Sequence, residues 1–270
     1  MRLPTPDSAA RSQFLSSAID ARVSPRGVCK LLAVIKTNAF GIYSITESGL
    51  ANVGLGLYPL LALGNHQCDP SGVWSFEGDT IVLRATRPIR AGDAVTSSYL
   101  LPREPPAARQ QKLRESYRFD CACARCVREK GMEGQLAAHA ADFREMKAAL
   151  ERHPIFVAAA APNHTADDGD DDMELTVLLQ RCARLLAKLT PQGCCHPDTA
   201  VHLMQLGNKW WRLHQRALMA VQHGTRAKRP SQRVCFDQAT ELWRKARQMM
   251  SVSLGAGHPM LALLDAKLRV

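Results

Sequence analysis

Three cysteines fall within six residues, in the segment Cys121-Ala-Cys123-Ala-Arg-Cys126, and this spacing restricts the fold more than any other feature of the chain. Closely spaced thiolates are typical ligands of zinc, which prefers four soft ligands arranged as a tetrahedron. The segment supplies only three, so a fourth ligand has to come from a distant part of the sequence. The alternative is three unliganded thiols in a core; the spacing favours zinc.

The cellular setting also bears on this choice. The chain has nine cysteines in 270 residues, an odd number. Its first residues lack the apolar core of a secretory signal, and no apolar stretch reaches the roughly 18 residues of a membrane-spanning helix. We therefore expect a reduced, intracellular chain with no membrane contact, in which the cysteine cluster binds metal. The length fits two ordinary domains.

The net charge of +10 is unevenly distributed. Residues 181–270 hold 15 basic and 4 acidic side chains, whereas the middle of the chain is acidic. A basic segment of this kind can attract nucleic acid or an acidic protein tail, or it can be a solvated helical surface. The second interpretation is favoured, because no nucleic-acid-binding motif accompanies the charge.

Short apolar runs separated by turn residues characterise the chain from Leu31 to about Tyr99 and predict a β-rich region. A hairpin is expected at Trp74–Arg84, with its turn at residues 77–79. A second turn at residues 90–93 precedes a strand candidate at residues 94–99.

Helical periodicity dominates from residue 105 onward. Helices are predicted at residues 105–118 and 135–152 and, after an acidic run at residues 167–172 that we expect to be a loop, at 173–189, 198–221, 233–250 and 258–268. A shorter one is possible at residues 9–19. Two of the later helices open on the same pair, His196-Pro197 and His258-Pro259. This repetition suggests tetratricopeptide-like helical hairpins, with an irregular helical bundle as the alternative.

A second polar motif is Gly64-Asn65-His66-Gln67-Cys68-Asp69-Pro70. By itself it is interpreted as a turn with a hydrogen-bonded histidine.

Taken in order, the motifs resemble a known family. Gly54-Leu-Gly-Leu-Tyr-Pro is followed by Asn65-His66-x-Cys68-Asp-Pro70, then by Arg84-Ala-x-Arg-x-Ile89 and Ala91-Gly-Asp-x-Val-Thr-x-Ser-Tyr99-Leu. The series ends with Arg109-x-x-x-Leu113-Arg-x-x-Tyr117-x-Phe119-x-Cys121-x-Cys123-x-x-Cys126. This order is similar to the SET domain and post-SET segment of the SET-and-MYND (SMYD-type) protein lysine methyltransferases.

The resemblance implies an α+β fold. Residues 1–130 would form a partial, incomplete β-rich SET domain with a zinc-binding post-SET segment. Residues 131–172 would be a helix and an acidic linker, and residues 173–270 an all-helical, tetratricopeptide-like repeat domain.

The resemblance also implies roles for individual residues. Tyr99 would be the active-site tyrosine beside the transferring methyl group. S-adenosylmethionine would be bound by Asn38, Asn65, His66, Tyr117 and Phe119. Zinc would be held by Cys68, the missing fourth ligand, together with Cys121, Cys123 and Cys126. We expect the hydroxyl group of Tyr99 to face the same cavity as Asn65, His66 and Phe119.

Two departures from the family pattern affect the expected pocket. No Gly-x-Gly segment precedes Leu31, and the MYND zinc finger is absent from the sequence given. We therefore expect the chain to correspond to the C-terminal portion of a longer ancestor. The cofactor cavity should then be open on one side, with apolar residues around Val53–Leu63 exposed.

The predicted function is S-adenosylmethionine-dependent methylation of a protein lysine, on a histone tail or a cytosolic protein, in the cytoplasm or nucleus. The alternative is a non-catalytic, zinc-stabilised scaffold that holds a partner peptide on its helical repeats.

Overall fold

The computed structural model describes residues 25–157, 169–222 and 230–269. Its first part contains two helices and six strands in the order α1 Pro25–Asn38, β1 Ala39–Thr46, β2 Gly49–Leu57, α2 Pro59–Ala62, β3 Asn65–His66, β4 Gly72–Glu77, β5 Thr80–Ala85 and β6 Thr96–Ser97. The remainder is helical: α3 Pro106–Tyr117, α4 Ala124–Arg128, α5 Glu133–Arg152, α6 Pro154–Val157, α7 Gly169–Leu189, α8 Pro197–Gln222, α9 Gln232–Leu254 and α10 Pro259–Lys267. The helix suggested at residues 9–19 lies outside the described residues.

The strands of the described residues pair into three two-stranded sheets. β1 and β2 are antiparallel, with a register shift between Ile42 and Tyr43. β4 and β5 form the predicted hairpin, whose turn is allowed by a positive φ of 64° at Gly78. β3 and β6 pair in parallel through Asn65–Thr96 and His66–Ser97, which brings the Asn-His motif beside the strand that leads to Tyr99.

Three local expectations were wrong. The β-rich region expected from Leu31 begins only at Ala39, because residues 25–38 are helical. Pro25 suits the first turn of a helix, and residues 28–38 contain no glycine or proline that would end it. The strand expected at residues 94–99 is reduced to Thr96–Ser97. The acidic run is helical from Gly169. Asp172 is buried, and the cost of burying its carboxylate is offset by a hydrogen bond from Arg216 Nε at 3.0 Å.

The long helices agree with the predicted ones to within about four residues at each end. α5 packs on α7, α8 packs on α9, and α9 packs on α10. Every helix in the described ranges is too short or too polar to cross a lipid bilayer. Whether the pairs are tetratricopeptide-like repeats stays a prediction.

Two hydrophobic cores result. The larger one lies in the helical part, and its fully buried large side chains include those of Trp210, Trp243, Leu213 and Met204. The smaller one is built around Leu113 of α3 and includes Cys68 and Cys121 as buried members. Tyr99, Leu100, Tyr117, Phe119, Cys123 and Cys126 pack against this smaller core. The three aromatic residues predicted for catalysis and cofactor binding and the four cysteines predicted to bind zinc therefore lie around the same small core.

The two His-Pro pairs begin helices in the same way. His196 Nδ1 accepts a hydrogen bond from the backbone N–H of Asp198 at 3.1 Å, and His258 Nδ1 accepts one from Met260 at 3.2 Å. Each imidazole thus caps one of the free N–H groups of a helix N-terminus, and the following proline supplies none. This geometry requires Nδ1 to be unprotonated.

We predict that acid weakens the helical part through His196. Burial lowers the pKa of His196 to about 4, so the stabilisation is complete above the ordinary pKa of about 6.5 and is lost as the pH falls toward 4. Asparagine at this position can still cap the helix but does not titrate. The urea midpoint should therefore fall more steeply between pH 7 and pH 4.5 for the parent chain than for His196→Asn. Equal slopes would contradict the assignment.

Candidate functional site

The four cysteines expected to bind zinc lie together. The Sγ atoms of Cys68, Cys121, Cys123 and Cys126 are all within 4.8 Å of one another. Cys68 Sγ is 3.9 Å from Cys121 Sγ and 3.6 Å from Cys126 Sγ. A zinc tetrahedron with bonds of about 2.3 Å requires sulfur–sulfur separations of about 3.8 Å. The cluster could therefore bind zinc, and four thiolate ligands would make such a site structural.

The chain returns to Cys68 by a tight turn after α3. Arg118, at the end of this helix, adopts a left-handed conformation with φ of 63°. Gln110 then holds the returning segment: its Nε2 donates to the carbonyl oxygen of Cys121 at 2.7 Å, and its Oε1 accepts from Cys121 N–H at 2.9 Å. Gln110 was not among the predicted site residues, because a glutamine on a polar helix is ordinarily solvated.

Without metal, the cluster divides its charge unequally. A hydrogen bond with Cys123, together with burial, raises the pKa of the Cys68 thiol well above its ordinary value. The same hydrogen bond lowers the pKa of Cys123 to about 3. Burial and the mutual repulsion of the thiolates therefore oppose ionisation of all four sulfurs when no cation compensates their charge. A bound divalent cation would replace the thiol protons and allow all four sulfurs to ionise.

Aromatic rings form a second group against the same small core. The rings of Tyr99 and Tyr117 are 4.7 Å apart between centroids, His66 and Tyr99 are 5.2 Å apart, and His66 and Phe119 are 6.1 Å apart. Four of the six residues predicted for catalysis and cofactor binding thus pack against one another.

Hydrogen bonds fix Tyr99 within this group. Its backbone N–H donates to His66 Nδ1 at 3.0 Å, and its hydroxyl group donates to the carbonyl oxygen of Gly64 at 2.7 Å. Burial raises the pKa of Tyr99, so the phenol is protonated at neutral pH. Burial also lowers the pKa of His66 to about 4, which leaves its imidazole neutral.

Tyr99 also borders a cavity of about 680 Å³ between the strands and the starts of α8 and α10. One wall is aromatic and includes Tyr43, Trp74 and Phe76. The expectation of one cavity shared with Asn65, His66 and Phe119 is not met here, because none of these three lines it. His66 and Phe119 instead pack on the side of the cysteine cluster, where His66 contacts Tyr99, Phe119 and Cys68.

The two asparagines stand apart from the rings. The amide of Asn65 is exposed at the start of β3. Asn38 ends α1, and its Nδ2 donates to the Val34 carbonyl oxygen at 3.0 Å and to Thr37 Oγ1 at 2.7 Å. These hydrogen bonds of Asn38 stay within its own helix, whereas the expectation placed its side chain toward the cofactor.

Apolar side chains along β2 and around α2 are exposed, as expected. The fractional exposures of Val53, Leu55, Leu57, Leu60 and Leu63 lie between 48% and 88%.

Similarity to known proteins extends over less than half of the chain. Histone-lysine N-methyltransferase SMYD3 of Mus musculus is 34% identical over 110 residues, which are 41% of this chain and 26% of that protein. N-lysine methyltransferase SMYD2 of Rattus norvegicus is 32% identical over 121 residues, 45% of this chain and 27% of that protein. Histone-lysine N-methyltransferase ASHR1 of Arabidopsis thaliana is 40% identical over 84 residues, 31% of this chain and 18% of that protein.

No protein-family profile matches the chain. The chain spans about a quarter of the length of the curated relatives it matches. These relatives are all lysine methyltransferases of the family indicated by the ordered motifs. Over the matched segment, the chain is therefore similar to the SET-and-MYND protein lysine methyltransferases.

Proposed function

We propose that this chain takes part in methyl transfer from S-adenosylmethionine to a protein lysine, at a site centred on Tyr99. The observation that supports it most directly is the packing of Tyr99 with His66, Tyr117 and Phe119 beside the four-cysteine cluster. The similarity to histone- and protein-lysine methyltransferases supports the same reaction. The substrate would be a histone or a cytosolic protein, encountered in the nucleus or cytoplasm.

The reaction requires a neutral amine held in line with a methyl group and shielded from water. S-adenosylmethionine, when bound, supplies the electrophilic methyl group. Tyr99 is suited to orient the amine: its hydrogen is engaged by Gly64, so the phenol oxygen remains an acceptor for an amine N–H. The apolar surroundings favour loss of the lysine proton and make a strong general base unnecessary.

His66 would act mainly by positioning Tyr99. Its Nδ1 accepts from the Tyr99 backbone, and its Nε2 is 3.3 Å from Cys68 Sγ. Both ring nitrogens are therefore occupied within the protein. The exposed amide of Asn65 and the aromatic faces of Tyr117 and Phe119 fit the polar and planar parts of the cofactor. Asn38 is the least supported of the proposed cofactor-binding residues, because its amide group is already hydrogen-bonded within α1.

Loss of the Tyr99 hydroxyl should lower methyl transfer. We expect Tyr99→Phe to reduce the rate at least about tenfold, since one hydrogen bond to the reacting amine is worth about 1.4 kcal/mol. The rate of methyl transfer is measured as incorporation of labelled methyl groups into mixed histones and cytosolic proteins. Tyr58→Phe is the matched control, because that hydroxyl donates to the backbone carbonyl of Asp79 at 3.0 Å, outside the site. A rate unchanged by Tyr99→Phe would remove this residue from the mechanism.

The exposed apolar side chains of β2 and α2 favour a second candidate, a non-catalytic, zinc-stabilised interaction scaffold. Calorimetry with S-adenosylmethionine separates the two functions. Micromolar binding supports the methyltransferase, whereas a folded, zinc-loaded chain that neither binds the cofactor nor incorporates methyl groups supports the scaffold. The exposed apolar surface of β2 and α2 would then be the first place to search for a bound peptide, and the helical repeats the second.

A further inference from the structure

Three buried or half-buried charged side chains lie beside the cysteine cluster and have no part in the proposed methyl transfer. They are Arg109 of α3, Arg125 of α4 and Glu129, which ends α4. Only 1% of the Arg109 side chain and 4% of the Arg125 side chain is exposed. Burial of an arginine is costly unless nearby groups compensate its charge, so their location requires an explanation.

Arg109 contacts the cluster directly. Its Nη2 donates to Cys126 Sγ at 3.8 Å and to Glu129 Oε2 at 2.5 Å, and its Nη1 donates to the carbonyl oxygen of Glu104 at 2.7 Å. Its Nε is buried without a hydrogen-bond partner among the described residues. An apolar side chain of similar length would avoid this unsatisfied donor, so packing alone does not account for an arginine here.

Arg125 links the cluster to the helical part. Its Nη1 donates to the carbonyl oxygen of Cys68 at 3.2 Å, and its Nη2 donates to the carbonyl oxygen of Leu189, at the end of α7, at 3.0 Å. Its Nε donates to Glu129 Oε1 at 2.7 Å. The Glu129 carboxylate therefore joins the two guanidinium groups, with one oxygen for each.

The charges account for this arrangement. Four thiolates around a divalent cation leave two negative charges in a partly buried place. Two guanidinium groups offset them, and Glu129 orients both while removing one positive charge. Hydrogen bonds to ligating sulfurs and fixed charges around them commonly alter the affinity of a metal site.

We propose that Arg109 is a positioning residue for the metal, whose guanidinium group stabilises the Cys126 thiolate and thereby sets the zinc affinity of the cluster. Arg125 and Glu129 hold that guanidinium group in place. The proposal rests on the zinc site included in the proposed function, but it does not depend on methyl transfer.

Arg109→Met tests the proposal by zinc retention against a chromophoric chelator, with metal content measured directly. We expect zinc to be held about 10- to 100-fold less tightly than in the parent chain. Arg114→Met is the matched control, because Arg114 lies on the same helix and pairs with exposed Asp120 at 2.8 Å, with 65% of its side chain exposed. Its zinc affinity should stay within about twofold.

Cobalt(II) substitution distinguishes an effect on the sulfur from a general loss of stability. The sulfur-to-cobalt charge-transfer band should shift in Arg109→Met and not in Arg114→Met. Arg109→Lys keeps the positive charge but lacks the planar guanidinium group, so it should bind zinc more tightly than Arg109→Met and less tightly than the parent chain. If Arg109→Met does not fold, Arg109→Lys takes its place in the test. Unchanged affinity and an unshifted band in folded Arg109 variants would overturn the proposal while leaving the zinc site intact. A parent chain that binds no zinc would overturn both.

Discussion

Removing the metal should unfold the small core and leave the helical part folded. Among the described residues, only Leu113, Cys68 and Cys121 are buried members of that core, so apolar burial contributes little to its stability. A structural zinc commonly contributes on the order of 10 kcal/mol, which is enough to determine whether such a region folds. Residues 115–130 should lose their order first, because the cluster joins them to the chain after β3.

Hydrogen exchange measures this outcome by segment. After chelation, or in Cys68→Ser, amide protection should be lost over residues 99–130 and retained in α8 and α9. Cys182→Ser is the matched control, because it also replaces a buried thiol but lies in α7, away from the cluster. If Cys68→Ser bound one zinc per chain as tightly as Cys182→Ser does, Cys68 would not be a ligand.

The sequence predicted the features that depend on neighbouring residues. The hairpin turn at Gly78 and the His-Pro helix starts follow from backbone preferences that a few residues determine. The convergence of Cys68 with Cys121–Cys126 was inferred from a family resemblance, since 53 residues separate Cys68 from Cys121 and no local rule spans that distance.

The features that the sequence did not predict depend on tertiary contacts. Arg109 and Arg114 lie five residues apart on the same helix, so they point about 140° away from each other around its axis. Arg109 is buried beside sulfur and Arg114 is exposed, and the sequence alone did not show which of the two faces the cluster. Asp172 was assigned to a loop because it lies in a run of aspartates. Its partner Arg216 is 44 residues further along the chain, so the local sequence did not indicate that its charge would be compensated. Asn38 was expected at a cofactor pocket, but the helix that begins at Pro25 continues through it.

A glycine in α8 allows close packing against α9. A Cβ atom added at Gly207 would lie 2.6 Å from Trp243 Cδ1, 2.7 Å from Trp243 Nε1 and 3.2 Å from the Ala239 carbonyl oxygen. The Trp243 ring has little room to move. Its Nε1 donates to Asn208 Oδ1 at 3.0 Å, Trp211 packs on it at 5.6 Å between centroids, and Lys267 Nζ lies 5.5 Å from its centre.

Gly207→Ala should therefore destabilise the chain although alanine favours helices. The gain in helix propensity is about 1 kcal/mol. Overpacking costs about 1–3 kcal/mol, and displacement of the indole from Asn208 would leave a buried donor unsatisfied at a further cost of about 1–3 kcal/mol. The net loss should be about 3 kcal/mol, measured as a lower urea midpoint with an unchanged slope.

Gly134→Ala is the matched control, because Gly134 lies in α5 and a Cβ atom there would meet nothing within 4 Å. It should leave the midpoint unchanged or raise it, by at most about 1 kcal/mol. If Gly207→Ala stabilised the chain as much as Gly134→Ala does, α8 and α9 could not be in contact at Gly207. The close approach of the two helices would then have to be abandoned, together with the packing of Trp243 against α8.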